Sequence, residues 1–159
     1  NDGLVIGICN GFQALVKTGL LPYGKVTSPQ EDDPNLTFNT NRRHIATFVD
    51  TLCLTNNSPW TNGIDLNKTY RMPISHGEGR FVIKEDKLQE LLDNEQVFSA
   101  YKISPNGSDY NIEGILSRDG KILGRMCHTE RIADDLYKNI YDIDKQNIFR
   151  NAVEYFKEK

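Results

Sequence analysis

The sequence has few cysteines, no long apolar run and no cluster of positive charge. Its three cysteines, Cys9, Cys53 and Cys127, are an odd number without paired spacing, which argues against a disulfide framework and favours a reducing cytoplasm. No apolar stretch approaches the ~20 residues that a membrane-spanning helix needs. The net charge is −3 and Lys and Arg are not concentrated in any segment. We therefore expect a cytoplasmic protein without membrane or nucleic-acid partners.

The 159 residues are 38% hydrophobic, which is enough for one domain with a sizeable core. The chain starts with Asn1 instead of Met, and a run typical of a buried strand follows after only three residues. This arrangement favours a fragment of a longer polypeptide, in which other strands would precede Val5.

Hydrophobic periodicity and turn residues predict an α/β fold with an antiparallel addition. Phe12, Leu15 and Val16 share one face of the first predicted helix, and Phe149, Val153 and Phe156 recur at helical spacing in the amphipathic tail. The predicted strands cover residues 5–8, 36–40, 47–54, 70–75, 80–83, 97–103, 112–117 and 122–127, and the predicted helices cover 10–18, 85–93 and about 143–159.

A short segment, Gly7-Ile8-Cys9-Asn10-Gly11, joins the first strand to the first helix. A side chain at such a sharp junction is exposed, which is the logic of the Gly-x-Ser-x-Gly nucleophile elbow with Cys in place of Ser. The flanking glycines relieve crowding, the helix N-terminus favours thiolate, and the Asn10 N–H is placed to donate to an oxyanion. We predict that Cys9 is a nucleophile; the alternative is a buried structural cysteine, as we expect for Cys53 and Cys127.

The segment His128-Thr129-Glu130 follows the last predicted strand. In an extended segment, side chains two apart point the same way, so His128 can accept the thiol proton while Glu130 orients the imidazole. A His-x-Glu pair by itself is usually a surface ion pair, and its meaning here depends on the elbow upstream. We therefore predict a triad of Cys9, His128 and Glu130.

The segment from Ser75 to Phe81 is polar and glycine-rich, which allows close approach of backbone to a ligand. It lacks the Gly-Lys-Ser/Thr ending of a phosphate-binding loop. The sequence also lacks Cys-x-x-Cys and His-x-x-x-His spacings, so no metal site is predicted.

Together these segments resemble the class I glutamine amidotransferases. Their Gly-x-Cys-x-Gly-x-Gln motif matches Gly7 to Gln13, and the Cys-Asn-Gly-Phe-Gln form is similar to the glutaminase domain of phosphoribosylformylglycinamidine synthases. The stretch from Ser75 to Phe81 is more specific to those synthases than the elbow is. Other matching segments are Phe38-Asn39-Thr40, Ser58-Pro59-Trp60, Pro105-Asn106-Gly107-Ser108, Asn111-Ile112-Glu113-Gly114-Ile115 and Leu123-Gly124-Arg125-Met126, and Leu136-Tyr137-Lys138-Asn139 resembles the end of the long, single-chain form.

The resemblance implies a flavodoxin-like α/β fold lacking its first strands, in one partial domain over residues 1–159. Cys9 would attack the side-chain amide of L-glutamine, and the glutamyl thioester would be hydrolysed. Ammonia would pass to a synthetase domain of the same polypeptide or complex. That domain would use ATP and Mg²⁺ to convert formylglycinamide ribonucleotide to formylglycinamidine ribonucleotide in purine biosynthesis, whereas this chain would need no cofactor. The implied glutamine-binding residues are Asn10, Gln13, His76 and Gly77.

Two departures from the family pattern bear on activity. In the family, the histidine and glutamate of the triad are most often separated by proline, as His-Pro-Glu. In this sequence Thr129 stands between His128 and Glu130. The family also has strands before the nucleophile and a loop that supplies a second oxyanion donor, so we expect the isolated chain to expose Val5 to Ile8 as an edge strand and to hydrolyse glutamine poorly. The alternative functions are another Cys–His–Glu hydrolase, such as a γ-glutamyl hydrolase or cysteine peptidase, and an inactive fragment kept only for packing.

Overall fold

The computed structural model describes residues 3–141, 143 and 145–157. Two short 3₁₀ turns, Asp109–Asn111 and Thr129–Arg131, interrupt the regular elements. The elements are β1 (Val5–Ile8), α1 (Asn10–Lys17), α2 (Leu20–Tyr23), β2 (Asn35–Thr37), β3 (Ile45–Cys53), β4 (Thr69–His76), β5 (Arg80–Val82), α3 (Glu85–Asp93), β6 (Val97–Tyr101), β7 (Ile112–Leu116), β8 (Ile122–Arg125) and α4 (Ile148–Lys157).

A six-stranded sheet in the order β1-β8-β7-β6-β3-β4 forms the centre of the molecule, and β2 and β5 form a separate two-stranded sheet. The α/β class is therefore confirmed. The β1–β8 pair is parallel and the other neighbours in the large sheet are antiparallel, so the antiparallel strands continue that sheet. Among the described strands β1 pairs with β8 alone, which agrees with the expected edge position.

The residues that follow β8 leave the sheet earlier than the sequence suggested. The strand was predicted to reach residue 127, but it ends at Arg125 and the 3₁₀ turn begins at Thr129. The Cys127 N–H donates to the Glu113 side chain (2.6 Å) and the His128 N–H donates to the Pro73 carbonyl (2.9 Å). These partners replace the hydrogen bonds of a continuing strand.

Apolar side chains cover both faces of the large sheet. Neighbouring residues on one strand alternate between the faces: Ile122 packs on the side of α1 and α3, whereas Leu123 packs on the side of α4. Helix α1 buries Phe12, Leu15 and Val16, as predicted. A packed layer on each side of a mixed sheet agrees with an α/β domain.

The C-terminal helix packs through a different face from the one that the spacing indicated. Helix α4 is shorter than the predicted 143–159, and its predicted end at residues 158–159 lies outside the described residues. Ile148 is fully buried, whereas Phe149, Val153 and Phe156 are 42%, 54% and 51% exposed. Ile148 and the partly buried Ala152 pack against the core, and the Asn151 side chain donates to the carbonyls of Trp60 (3.0 Å) and Asn62 (2.8 Å). Within the described residues, no helix has the length and apolar composition needed to cross a membrane.

Helix α1 lies close against strand β1 at Gly7. A Cβ atom on Gly7 would lie 2.6 Å from the backbone carbonyl of Gly11 and 2.5 Å from Cδ1 of Leu15. A Cβ atom on Gly11 would have no heavy atom within 4 Å. The expectation that both glycines relieve crowding is therefore confirmed for Gly7 and wrong for Gly11. Gly7 allows the strand and helix to touch.

These two glycines form a matched pair for a stability test. We expect Gly7→Ala to lower the free energy of unfolding by about 1–3 kcal/mol, because the added methyl group would push α1 away from β1. We expect Gly11→Ala to be neutral or to raise it by up to about 1 kcal/mol, because alanine restricts the unfolded chain and fits the helix. Urea unfolding followed by circular dichroism measures both. A Gly7→Ala chain as stable as the original would contradict this account of the elbow.

Candidate active site

Cys9 lies on the sharp turn between β1 and α1. Its backbone has φ 54° and ψ −107°, a conformation that residues other than glycine rarely adopt. Its N–H donates to the Arg125 carbonyl (2.8 Å), and its thiol lies 3.6 Å from the Ser75 carbonyl. The predicted elbow is therefore present, and Cys9 is partly exposed whereas Cys53 and Cys127 are buried.

The Cys9 thiol favours its neutral form in this structure. Burial raises the pKa of Cys9 above its ordinary value and outweighs the Asn10 N–H and the Arg131 charge, which lower it. The Glu130 charge adds to the increase. The N–H at the helix N-terminus does favour thiolate, as expected, but burial has the larger effect on the pKa of Cys9. For Cys9 to act as a nucleophile, a nearby base would have to remove this proton.

His128 and Glu130 form a close pair at the start of the 3₁₀ turn. The distance between His128 Nδ1 and Glu130 Oε1 is 2.6 Å. His128 is 5% exposed, and its Nε2 atom is buried without a hydrogen-bond partner among the described residues. The predicted extended segment is wrong, because a tight turn brings the carboxylate to the imidazole. With Nδ1 hydrogen-bonded to a carboxylate, Nε2 is the atom left to exchange a proton.

Strand β4 brings Cys9 and His128 to the same place. Although β4 is at the opposite end of the strand order from β1, Ser75 contacts the Cys9 thiol and Pro73 accepts the His128 N–H. The large sheet therefore curls until β4 approaches the end of β1. Proline fits in β4 because this strand lies at an edge of the sheet.

His76 is buried beside the same cluster. Burial, together with the charges of His44 and His128, lowers the pKa of His76 to about 4, so the ring is neutral near pH 7. Its Nδ1 atom lies 3.1 Å from Asn39 Oδ1, and its Nε2 atom has no hydrogen-bond partner among the described residues. The ring packs against Gly79, where any Cβ atom would lie 2.4 Å from Nδ1. His76 therefore presents one free ring nitrogen to its surroundings.

The other residues expected to bind glutamine lie around this cluster, and they differ in exposure and in the hydrogen bonds that they already make. Asn10 is exposed at the start of α1. The Gln13 side-chain amide is already engaged, because it donates to the Glu78 carbonyl and thereby ties α1 to the glycine-rich segment. Gly77 has open space where a Cβ atom would lie, and its carbonyl accepts the Asn39 N–H (3.0 Å).

Two buried asparagines hold the glycine-rich segment, and sequence reasoning assigned a role to neither. Asn39 donates to the His76 carbonyl (2.9 Å) and accepts the Gly79 N–H (3.2 Å). Asn106 donates to the Gly79 carbonyl (2.7 Å) and accepts the Ser108 N–H (3.0 Å). Asparagine is common in ordinary turns, so the only signal was that both lie in segments of the family resemblance.

A buried ion pair also lies next to the site and was not expected. Glu113 and Arg125 are both fully buried, with Arg125 Nη2 2.9 Å from Glu113 Oε2.

No group of three or more His, Cys, Asp or Glu side chains in the described part of the chain is arranged to hold a metal ion.

The sequence is similar to one family over nearly its whole length. The model of the CobB/CobQ-like glutamine amidotransferase domain matches residues 1–156. Phosphoribosylformylglycinamidine synthase subunit PurQ from a Prochlorococcus marinus strain is 39% identical over 131 residues, and the subunit of the same name from Trichormus variabilis is 42% identical over 132 residues. Each alignment covers 82% of this chain and 54% of the relative. The chain thus spans about half the length of the curated relatives it matches.

Solved structures agree with this result. The PurLQS structure from Thermotoga maritima contains a chain with a TM-score of 0.74 at 31% identity, covering 96% of this chain and 62% of that one. A candidate GMP synthase subunit from Thermoplasma acidophilum has a TM-score of 0.59 at 10% identity over 99% of this chain and 61% of that one, a likeness of fold alone. The predicted glutamine amidotransferase fold is confirmed. With the family model matched over residues 1–156, the chain belongs to the CobB/CobQ-like glutamine amidotransferase family.

Proposed function

We propose that this chain carries the glutaminase site of a phosphoribosylformylglycinamidine synthase. The observation that carries the proposal is the 2.6 Å contact between His128 Nδ1 and Glu130 Oε1, which leaves Nε2 without a partner among the described residues. Strand β4 holds this pair near Cys9, because its carbonyls contact the His128 N–H and the Cys9 thiol. A nucleophile, a base and a group that orients the base are the parts that acyl transfer through a thioester requires. The relatives are named as subunits of phosphoribosylformylglycinamidine synthase, and these names support the choice of this synthase.

The first half of the proposed reaction releases ammonia. His128 Nε2 takes the proton of the Cys9 thiol as the sulfur forms a bond to the side-chain carbonyl carbon of glutamine. This proton transfer is needed because burial keeps the thiol neutral. The Asn10 N–H donates to the developing oxyanion. The bond from carbon to nitrogen then breaks as His128 returns the proton to the leaving ammonia, and a glutamyl thioester remains on Cys9.

The second half regenerates the enzyme. His128 takes a proton from water as the water oxygen attacks the thioester carbon. The bond from carbon to sulfur then breaks as His128 returns this proton to the sulfur, which gives glutamate and the Cys9 thiol. Ammonia then serves a synthetase partner that forms formylglycinamidine ribonucleotide. In this proposal ATP and Mg²⁺ belong to that partner, the glutaminase half needs neither, and both halves work in the cytoplasm.

The proposal predicts selective modification of Cys9. In the complex with the synthetase, a diazoketone analogue of glutamine should alkylate Cys9 stoichiometrically and spare Cys53 and Cys127, because these are only 2% and 0% exposed. Peptide mass mapping of the labelled protein measures the site of modification. Excess glutamine should slow the labelling, and Cys9→Ser should prevent it. Stoichiometric labelling of Cys127 instead would contradict the assignment of the nucleophile.

The proposal also predicts that the two nitrogen sources can be separated. In the complex with the synthetase, Cys9→Ala should abolish synthesis from glutamine and leave synthesis from added ammonia largely intact, because ammonia bypasses the thioester. The measurement is formation of the amidine product with each nitrogen source. Cys53→Ala is the matched control and should retain both activities. Equal loss of both activities in Cys9→Ala would indicate that Cys9 has only a structural role.

A further inference from the structure

Thr129, the residue between His128 and Glu130, is held by a buried cation. Its side chain is buried, and its Oγ1 atom accepts a hydrogen bond from Arg125 Nη1 at 2.8 Å. Thr129 is also the first residue of the 3₁₀ turn that carries Glu130. A buried charge-assisted hydrogen bond is strong and directional, so this contact fixes where the turn begins.

The guanidinium of Arg125 is itself held on several sides. Its Nε and Nη2 atoms donate to the two carboxylate oxygens of Glu113 at 3.2 and 2.9 Å, and Nη1 also donates to Gln146 Oε1. Although burial alone would raise the pKa of Glu113, the Arg125 charge holds this pKa below its ordinary value, so both partners stay charged. A bidentate pair sets the direction of the guanidinium and thereby of Nη1.

The same ion pair also contacts the chain on both sides of the site. The Arg125 carbonyl accepts the Cys9 N–H (2.8 Å), and Glu113 Oε1 accepts the Cys127 N–H (2.6 Å). We propose that Arg125, through its hydrogen bond to Thr129, is a positioning residue that holds the His128–Glu130 turn in register with Cys9. This inference rests on the proposed function, because it assigns the pair a role in the reactivity of the triad.

The backbone geometry provides a way to replace this hydrogen bond by another constraint. His128 has φ −88° and ψ 77°, outside the helical region that a following proline disfavours. Proline is also well suited to the first position of a helical turn, since its φ is already fixed there. Besides the hydroxyl that accepts the Arg125 hydrogen bond, Thr129→Pro would remove the Thr129 N–H, which donates to the Cys127 carbonyl at 3.2 Å. It should therefore stiffen the turn without needing Arg125.

The test measures the rate of Cys9 alkylation by iodoacetamide from pH 5 to 9, with peptide mapping to identify the modified cysteine. We expect Thr129→Val, which keeps the shape and loses the hydroxyl, to react about tenfold more slowly near pH 7 and with a higher apparent pKa, because small misplacements are costly in rate. Thr129→Ser keeps the hydroxyl and should react like the original chain. Thermal unfolding of each variant checks that it is folded. A Thr129→Val chain with an unchanged rate profile would overturn the inference.

A second comparison separates positioning from core packing. Arg125→Met alone would leave Glu113 charged and buried, so it is combined with Glu113→Gln, which can still accept the Cys127 N–H. We expect this pair of substitutions to slow Cys9 alkylation by about tenfold, Thr129→Val to add no further loss, and Thr129→Pro to restore the rate. The inference would be wrong if Thr129→Pro restored nothing or if Thr129→Val slowed the doubly substituted chain further.

One control distinguishes this inference from the proposed function. His128→Asn should slow Cys9 alkylation near pH 7 if His128 activates the thiol. If His128→Asn reacts like the original chain, the triad itself is wrong. If His128→Asn is slow and Thr129→Val is unchanged, the triad stands and only the role of Arg125 fails.

Discussion

The parallel pairing of β1 with β8 is the constraint on which the site depends. Its last registered pair, Ile8 with Arg125, joins segments that are far apart in sequence and places the ends of both strands at one edge of the sheet. Parallel strands end together, so the turn after β1 and the turn after β8 leave the sheet side by side. Helix α1 can pack against strand β8 only because residue 124 is glycine: a Cβ atom on Gly124 would lie 2.2 Å from the Phe12 ring. A change of register would separate Cys9 from His128.

Features with a local physical cause could be predicted from the sequence. Strand β1 and helix α3 have their predicted bounds, because a short apolar run and an amphipathic stretch of helix-forming residues each carry their own signal. The elbow at Cys9 and the burial of Cys53 and Cys127 also follow from local context. The three residues of the candidate triad were likewise chosen from short motifs, supported by the family resemblance.

Features that depend on contacts between distant segments could not be predicted in this way. The 3₁₀ turn at Thr129 replaces an expected strand because Pro73 and Glu113 capture the N–H groups that precede it. The protonation of Cys9 depends on burial among segments that meet only in the fold. Glu113 and Arg125 are polar residues in strand positions, and a sequence pattern assigns such residues to the solvent side of a sheet. Charged residues are rarely buried unless paired, and their pairing is visible only in three dimensions.

The backbone conformation of Cys9 lowers the stability of the chain at the position that carries the exposed thiol. A side chain at φ 54° costs of order 1–3 kcal/mol that glycine would avoid. Selection for thermal tolerance alone would therefore favour glycine at this position and discard the thiol. If Cys9 is the nucleophile that we propose, its strained backbone is the cost of exposing the thiol, and a more stable chain with glycine there would lose that nucleophile.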